Sequence, residues 1–248
     1  MSAPVEPRVL ENWPVAILAG GLATRLRPIT ESIPKSLVPV AGEPFLAHQL
    51  RLLSSRGIRR AVLCVGYLGE MIEAQFQDGA EYEIKLEYSF DGPQLLGTGG
   101  ALKHAARRLG PQFFVLYGDS YLPIDYASVA LAFPKTGKMA LMTVFKNQDR
   151  WDSSNVSFDG KNIQCYDKKI RTAEMEYIDY GLGAFRSEAL AAWPDDQPFD
   201  LAEVYRDLVG KNQLAGFEVK QRFYEAGSPA GLAELDALLG NPTGSTTT

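Results

Sequence analysis

The stretch AILAGGLATRLRPITESIPKSLVPV, from Ala16 to Val40, decides the reading of this chain. Val15 to Ala19 is a short apolar run bounded by glycine, the pattern of a strand buried on both faces. Gly20 and Gly21 then permit a tight turn and a close approach of backbone to ligand. Arg25, Arg27 and Lys35 follow in the next loop. Successive backbone N–H groups, joined by two or three cations, form a nest for a polyphosphate. Taken alone, a glycine turn after a strand also fits a plain turn with solvated charges. The stretch is not a Walker A loop, which needs Gly-Lys-Ser/Thr, and no G-x-G-x-x-G opens a helix here.

Outward from this loop the chain alternates. Pro44 to Arg56 carries apolar residues at helical spacing and stops at Gly57. Arg60 to Val65 reads as a second buried strand, Gly69 to Phe76 as a helix and Ile84 to Tyr88 as a strand. Strand–helix–strand alternation predicts an α/β fold with a mainly parallel sheet. A second glycine cluster, Gly97-Thr98-Gly99-Gly100, opens a helix over Ala101 to Leu109. Glycines at a helix N-terminus can bind an anion or let a flat base lie on the backbone; an N-cap loop with Thr98 as the cap fits equally. Phe113 to Tyr117 is a buried strand ending in Gly118-Asp119. A carboxylate just past the C-terminal end of a central strand sits where α/β sheets bind ligands, although turn aspartates are common.

Tyr126 to Phe133 reads as a helix and Met139 to Lys146 as a strand. Beyond Asp149 short strands are expected at Asn155–Phe158, Asn162–Tyr166 and Tyr177–Phe185. Helices are expected at Ser187–Trp193, Leu201–Val209 and Gly231–Leu239, and strands at Leu214–Val219 and Arg222–Tyr224. Residues 1 to 14 hold three prolines and read as a mobile or draped arm, and 240 to 248 as a disordered polar tail.

Composition excludes several classes. A net charge of −5 argues against a general nucleic-acid surface, so an anionic ligand must be held by local cations. No run of 18 apolar residues exists, so no membrane helix is expected, and the N-terminus lacks the features of a secretory signal. Cys64 lies in an apolar run and Cys165 has no Cys or His near it in sequence. A disulfide framework or zinc site is not expected, and a cytoplasmic location fits. His48 and His104 have no nucleophile spaced for a triad.

The central stretch resembles the sugar-nucleotidyltransferase signature L-A-G-G-x-x-T-R-L-x-P-L-T followed by P-K-x-L-x-P-V. It stands here as Leu18 to Thr30 and Pro34 to Val40, with Ala23 where the family has glycine. The resemblance covers roughly residues 15 to 239. It implies a single Rossmann-like three-layer α/β/α domain with a central mixed, mainly parallel sheet. Residues 15–135 would be the nucleotide half and 136–239 the sugar-phosphate half. Leu18, Ala19, Gly20, Gly21, Arg25, Lys35, Gly97, Thr98, Gly99 and Gly118 would hold the nucleotide. Asp119 matches the family's first Mg²⁺ ligand. Asp167-Lys168 resembles the family's E-K, whose lysine reaches the sugar phosphate. Arg150-Trp151-Asp152 stands where many members have R-Y-G, and Ile178-Asp179-Tyr180-Gly181 where the family has I-N-x-G, so Asp152, Asp179 and Gly181 would face the sugar. Tyr224 to Pro229 resembles the hydrophobic-D-x-G-T-P motif, with Glu225 at the second metal ligand.

The reaction implied is NTP + sugar 1-phosphate → NDP-sugar + pyrophosphate. Arg25, Lys35, Asp119 and Lys168 would carry it with Mg²⁺, through positioning and cations more than proton transfer. Gly99-Gly100 and the short chain resemble the mannose- and heptose-type guanylyltransferases, so GTP is the favoured donor. The partners expected are an NTP and a sugar 1-phosphate, without nucleic acid or membrane; homo-oligomer formation stays open. Glu225, Asp152 and Asp179 keep open a second class, a catalytically weak sugar-nucleotide sensor. A dinucleotide oxidoreductase lacks its fingerprint.

Overall fold

The computed structural model describes residues 9–240. The expected tail from 241 and the first eight residues of the arm lie outside the described residues. In chain order the elements are β1 (Val15–Leu18), β2 (Pro39–Val40), β3 (Glu43–Pro44), α1 (Phe45–Ser55), β4 (Arg60–Val65), α2 (Gly69–Phe76), β5 (Lys85–Phe90), α3 (Gly97–Leu109), β6 (Gln112–Tyr117) and β7 (Ser120–Tyr121). They continue with α4 (Tyr126–Thr136), β8 (Ala140–Lys146), β9 (Val156–Phe158), β10 (Ile163–Tyr166), β11 (Tyr177–Arg186), α5 (Leu201–Gly210), β12 (Leu214–Val219), β13 (Tyr224–Glu225) and α6 (Pro229–Gly240).

One nine-stranded mixed sheet runs through both halves, along β10-β9-β11-β6-β1-β4-β5, with β8 pairing β11 and β12. The first half is parallel: β1 lies between β4 and β6, and β5 adds outside β4. The second half joins through β11, antiparallel to β6 and to β8.

The alternation of strand side chains sorts the core into two layers. Val15 and Ile17 of β1, Leu63 of β4 and Phe114 and Leu116 of β6 meet α1, α2 and α4 on one face. Ala16, Val62, Phe113 and Val115 meet α3 and α5 on the other. This is a three-layer α/β/α arrangement. The described part of the N-terminal arm is draped, not loose: Leu10 and Trp13 are buried, and Trp13 packs on Phe114 with ring centroids 4.6 Å apart.

Three expectations change. Ser187 to Trp193 forms only a 3₁₀ turn, Ser187–Leu190, because Pro194 disfavours helix at the residue before it. The strand expected at Arg222–Tyr224 is instead the two-residue β13, limited by its two-residue partner β7. The glycine cluster lies inside α3 and does not precede it. The first-turn amides of Gly99 and Gly100 both donate to Phe199 O, at 3.0 and 3.3 Å, so a distant carbonyl replaces the side-chain cap. Thr98 is not that cap. Its hydroxyl donates to Asp200 Oδ1 and accepts from Leu201 N, tying α3 to the start of α5.

Candidate active site

The site begins where the parallel strands end, as expected for α/β sheets. Glycine is required there by crowding. A Cβ on Gly118 would lie 2.4 Å from Leu18 O, and one on Gly20 would lie 3.0 Å from Gly66 N. Without these side chains the exits of β1, β4 and β6 pass each other closely, and a cavity opens above them. Leu18, Ala19, Gly20, Gly21, Lys35, Gly97, Thr98, Gly118 and Asp119 line it, with Tyr117, Cys64 and Asp91. Two residues expected at the nucleotide stand elsewhere. Gly99 is turned away, since a Cβ there would strike the Phe199 ring at 2.4 Å. Arg25 lines the second cavity instead.

That second cavity lies over the β6–β11 junction and is walled by polar side chains. Arg25, Asp152, Lys168, Arg171, Asp179 and Glu225 all line it, beside Gly181 and Phe223. Tyr117 and Asp119 belong to both cavities, so the two are halves of one cleft. Lys168 is presented by a turn that Asp167 organises, its carboxylate accepting from Lys169 N and Ile170 N. Those two amides hold the Asp167 carboxyl below its usual range. Gly181, at φ 103°, lets β11 pass Ser120, whose Oγ would lie 2.8 Å from a Cβ. Asp152 is exposed, and its carboxylate accepts from Ser153 N. Asp179 spends its oxygens inside the protein: Tyr117 and Tyr166 hydroxyls donate to Oδ2, and Gly181 N donates to Oδ1.

At the junction Lys35 Nζ donates to Asp119 Oδ2 at 2.7 Å. β13 brings Glu225 beside Ser120, and Ala226 N donates to Asp119 O at 2.7 Å. Glu225 Oε2, Arg25 Nη2 and Asp119 Oδ2 all lie within 2.9 Å of the point a Gly227 Cβ would occupy. Gly227 therefore makes room for two carboxylates and a guanidinium to converge. The Glu225 carboxylate also accepts from Gly227 N and Ser228 Oγ, which fixes its direction. Among the described residues no three His, Cys, Asp or Glu side chains gather as a metal set. Two converging carboxylates nonetheless fit Mg²⁺, which takes few protein ligands and completes its shell with phosphate and water.

Burial tunes the walls. It pushes the Cys64 thiol up to about 12, so this residue acts as a small apolar surface. Burial likewise raises the Asp91 carboxyl above its usual range, against the opposing hydrogen bond from Leu96 N.

Sequence reasoning missed Asp91, Arg171 and Gln49. Asp91 follows the end of β5 just as Asp119 follows the end of β6, so the same signal was present. Gln49 is a polar residue at a buried position of α1, itself unusual. Its Nε2 donates to Tyr117 O and Ser120 O, at 3.3 and 2.7 Å, and so braces the turn that holds Asp119 from both sides.

A family model described as Nucleotidyl transferase matches residues 15–191. The chain belongs to this family. The nucleotidyl transferase match covers the central loop, Asp119 and Lys168, whereas Glu225 lies beyond it. A UTP–glucose-1-phosphate uridylyltransferase from a Synechocystis species is 30% identical over 202 residues, 75% of this chain and 52% of that protein. A D-glycero-alpha-D-manno-heptose 1-phosphate guanylyltransferase from Campylobacter jejuni is 37% identical over 142 residues, 56% of this chain and 62% of that protein. The chain thus spans between half and two-thirds of these two relatives. A putative glucose-1-phosphate thymidylyltransferase from Bacillus anthracis superimposes with a TM-score of 0.82 at 19% identity, over 94% of this chain and 97% of that one, a likeness of fold.

Proposed function

We propose that this nucleotidyl transferase moves a nucleotidyl group from an NTP, GTP by preference, to a sugar 1-phosphate, with Mg²⁺, releasing pyrophosphate. The observation that carries the reading is the pair of cavities meeting at Tyr117 and Asp119, with Lys35, Arg25 and Glu225 at the seam. The first cavity takes the nucleoside and α-phosphate. The second takes the acceptor, its phosphate on Lys168.

An acceptor phosphate oxygen attacks the α-phosphorus, the bond to the β-phosphate oxygen breaks, and pyrophosphate leaves with the electron pair. The attacking oxygen is already ionised near neutral pH, so no general base is needed. Lys35 neutralises charge near the α-phosphate, and the forked guanidinium of Arg25, on the wall of the second cavity, does so where the acceptor phosphate meets it. Bound at Asp119 and Glu225, Mg²⁺ would add Lewis-acid polarisation of phosphate oxygens. Lys35 would then exchange its contact with Asp119 for one with substrate.

Asp91 supports the choice of guanine. A carboxylate can accept from both N1–H and N2–H₂ of guanine, whereas uracil and thymine offer a single ring N–H flanked by carbonyls. A second reading, a sugar-nucleotide sensor, draws on Glu225, whose two oxygens are already engaged by its own loop.

Pyrophosphate release, measured for each NTP against a panel of sugar 1-phosphates, separates the two. The transferase reading expects release that needs Mg²⁺, one NTP and one acceptor. It also expects a fall of at least about 10²-fold in Asp119→Ala. Tight NDP-sugar binding without release from any pair would favour the sensor.

A further inference from the structure

The side chain of Asp179 is committed to an internal network. Tyr117 Oη donates to Asp179 Oδ2 at 3.1 Å, and Tyr166 Oη donates to the same oxygen at 3.2 Å. Gly181 N donates to Oδ1 at 3.1 Å, and Asp179 N donates to Asn155 Oδ1 at 2.9 Å. The carboxylate thus receives three donors, a number that suits an anion and exceeds what a single amide oxygen receives comfortably.

The network continues outward. Lys168 Nζ donates to Tyr117 Oη at 3.4 Å, and the ammonium lies 4.9 Å from the Tyr117 ring centroid and 5.9 Å from that of Tyr166. Tyr117 Oη therefore accepts from a cation and passes its own proton toward an anion. Such a chain polarises each member in the same sense. Burial, reinforced by the Asp179 charge, keeps both phenols protonated far above neutral pH, so they remain donors. Lys168 itself is exposed and sits on a turn outside the strands. Without this anchorage a four-carbon stem would place its ammonium loosely.

We propose that Asp179 is a positioning residue: through Tyr117, with Tyr166 as a second tether, its carboxylate fixes the Lys168 ammonium over the acceptor cavity. This rests on the reading of Lys168 as the acceptor-phosphate cation. It assigns Asp179 a role different from the contact with a sugar hydroxyl expected from the sequence. Recognition of the sugar then falls to groups nearer the rim, among them Asp152.

The test has a spectroscopic arm and a kinetic arm, both on the full chain. Lysines are reductively methylated with ¹³C, which keeps their charge, and the Lys168 signal is assigned by its loss in Lys168→Gln. The proposal expects Asp179→Asn and Tyr117→Phe to move that signal, and inorganic phosphate to shift it in the unsubstituted protein. In the kinetic arm, Lys168→Gln and Asp179→Asn each raise KM for the sugar 1-phosphate about tenfold. The double variant is then no worse than Lys168→Gln alone. Losses that multiply in the double variant, with the Lys168 signal unmoved by Asp179→Asn, would overturn the proposal and return Asp179 to the sugar. Should Asp179→Asn fail to fold, judged by melting and by nucleotide binding, Tyr166→Phe replaces it in both arms, with a rise in KM of about threefold. If no acceptor supports transfer, the lysine signal still decides: movement upholds this inference while the transferase reading fails, and no movement overturns it.

Discussion

The two cavities of this cleft are built by different means. The first is framed by backbone, the ends of β1, β4 and β6, held close because Gly20, Gly66 and Gly118 carry no side chain, and side chains such as Cys64 and Asp91 complete its walls. The second is made of side chains on β11, on the turn after β10 and on the loop after β8, including Asp152, Lys168 and Arg171. A cavity framed by backbone keeps one shape and suits the part of a ligand that does not vary, such as a phosphate. A side-chain-built cavity can be altered one residue at a time, which suits an acceptor that differs between related enzymes.

The largest effect should come from one methyl group in the first cavity. Gly118→Ala would bring a Cβ to 2.4 Å from Leu18 O, against backbone that cannot swing away. We expect a loss of about 3 kcal/mol and a Tm lower by roughly 6–12 °C in calorimetry. An unchanged Tm would mean that the strand exits are looser than described. Next in size is Gln49→Leu, which leaves the carbonyls flanking Asp119 without their donor. Melting and kcat together report it: stability should fall by about 2 kcal/mol and kcat by about tenfold, with KM for the NTP little changed.

Asp91→Asn tests the base. An amide keeps one acceptor and gains donors, so the preference for GTP over UTP in kcat/KM should shrink about tenfold, with Tm nearly constant. The smallest effect belongs to the second cavity. Asp152→Ala alters an exposed side chain, and we expect KM for the sugar phosphate to change about threefold with Tm unmoved. An Asp152 effect on stability as large as that of Gly118 would erase the contrast between the cavities.

How far the sequence was legible follows the same line. Periodicity located β4, α2 and β12 to the residue, because each is fixed by its own apolar pattern and by flanking turn signals. The seam was also legible, since Lys35 and Asp119 both lie in the motifs that carry the family resemblance, and the fold brings them to 2.7 Å. What was hidden depends on contacts distant in sequence. Gly99 and Gly100 read as ligand-facing glycines but make room for residues 197–200. Thr98 reads as a cap for its own helix but bonds to Asp200, the cap of α5, and to Leu201 N. Asp179 reads as a sugar contact but is enclosed by Tyr117 and Tyr166, one of them from a strand in the other half. Arg25 reads as a nucleotide-loop cation but reaches Gly227 on the far side of the cleft. None of these pairings leaves a local pattern.

The central claim is that both cavities are loaded at once and that the nucleotidyl group passes directly between them. Exchange of ³²P-pyrophosphate into GTP, with and without the acceptor sugar 1-phosphate, tests it most directly. The account predicts exchange only when the sugar phosphate is present, because pyrophosphate can attack only an assembled NDP-sugar. Exchange with GTP alone would reveal a nucleotidyl group carried on the protein and would contradict direct transfer across the Tyr117–Asp119 seam.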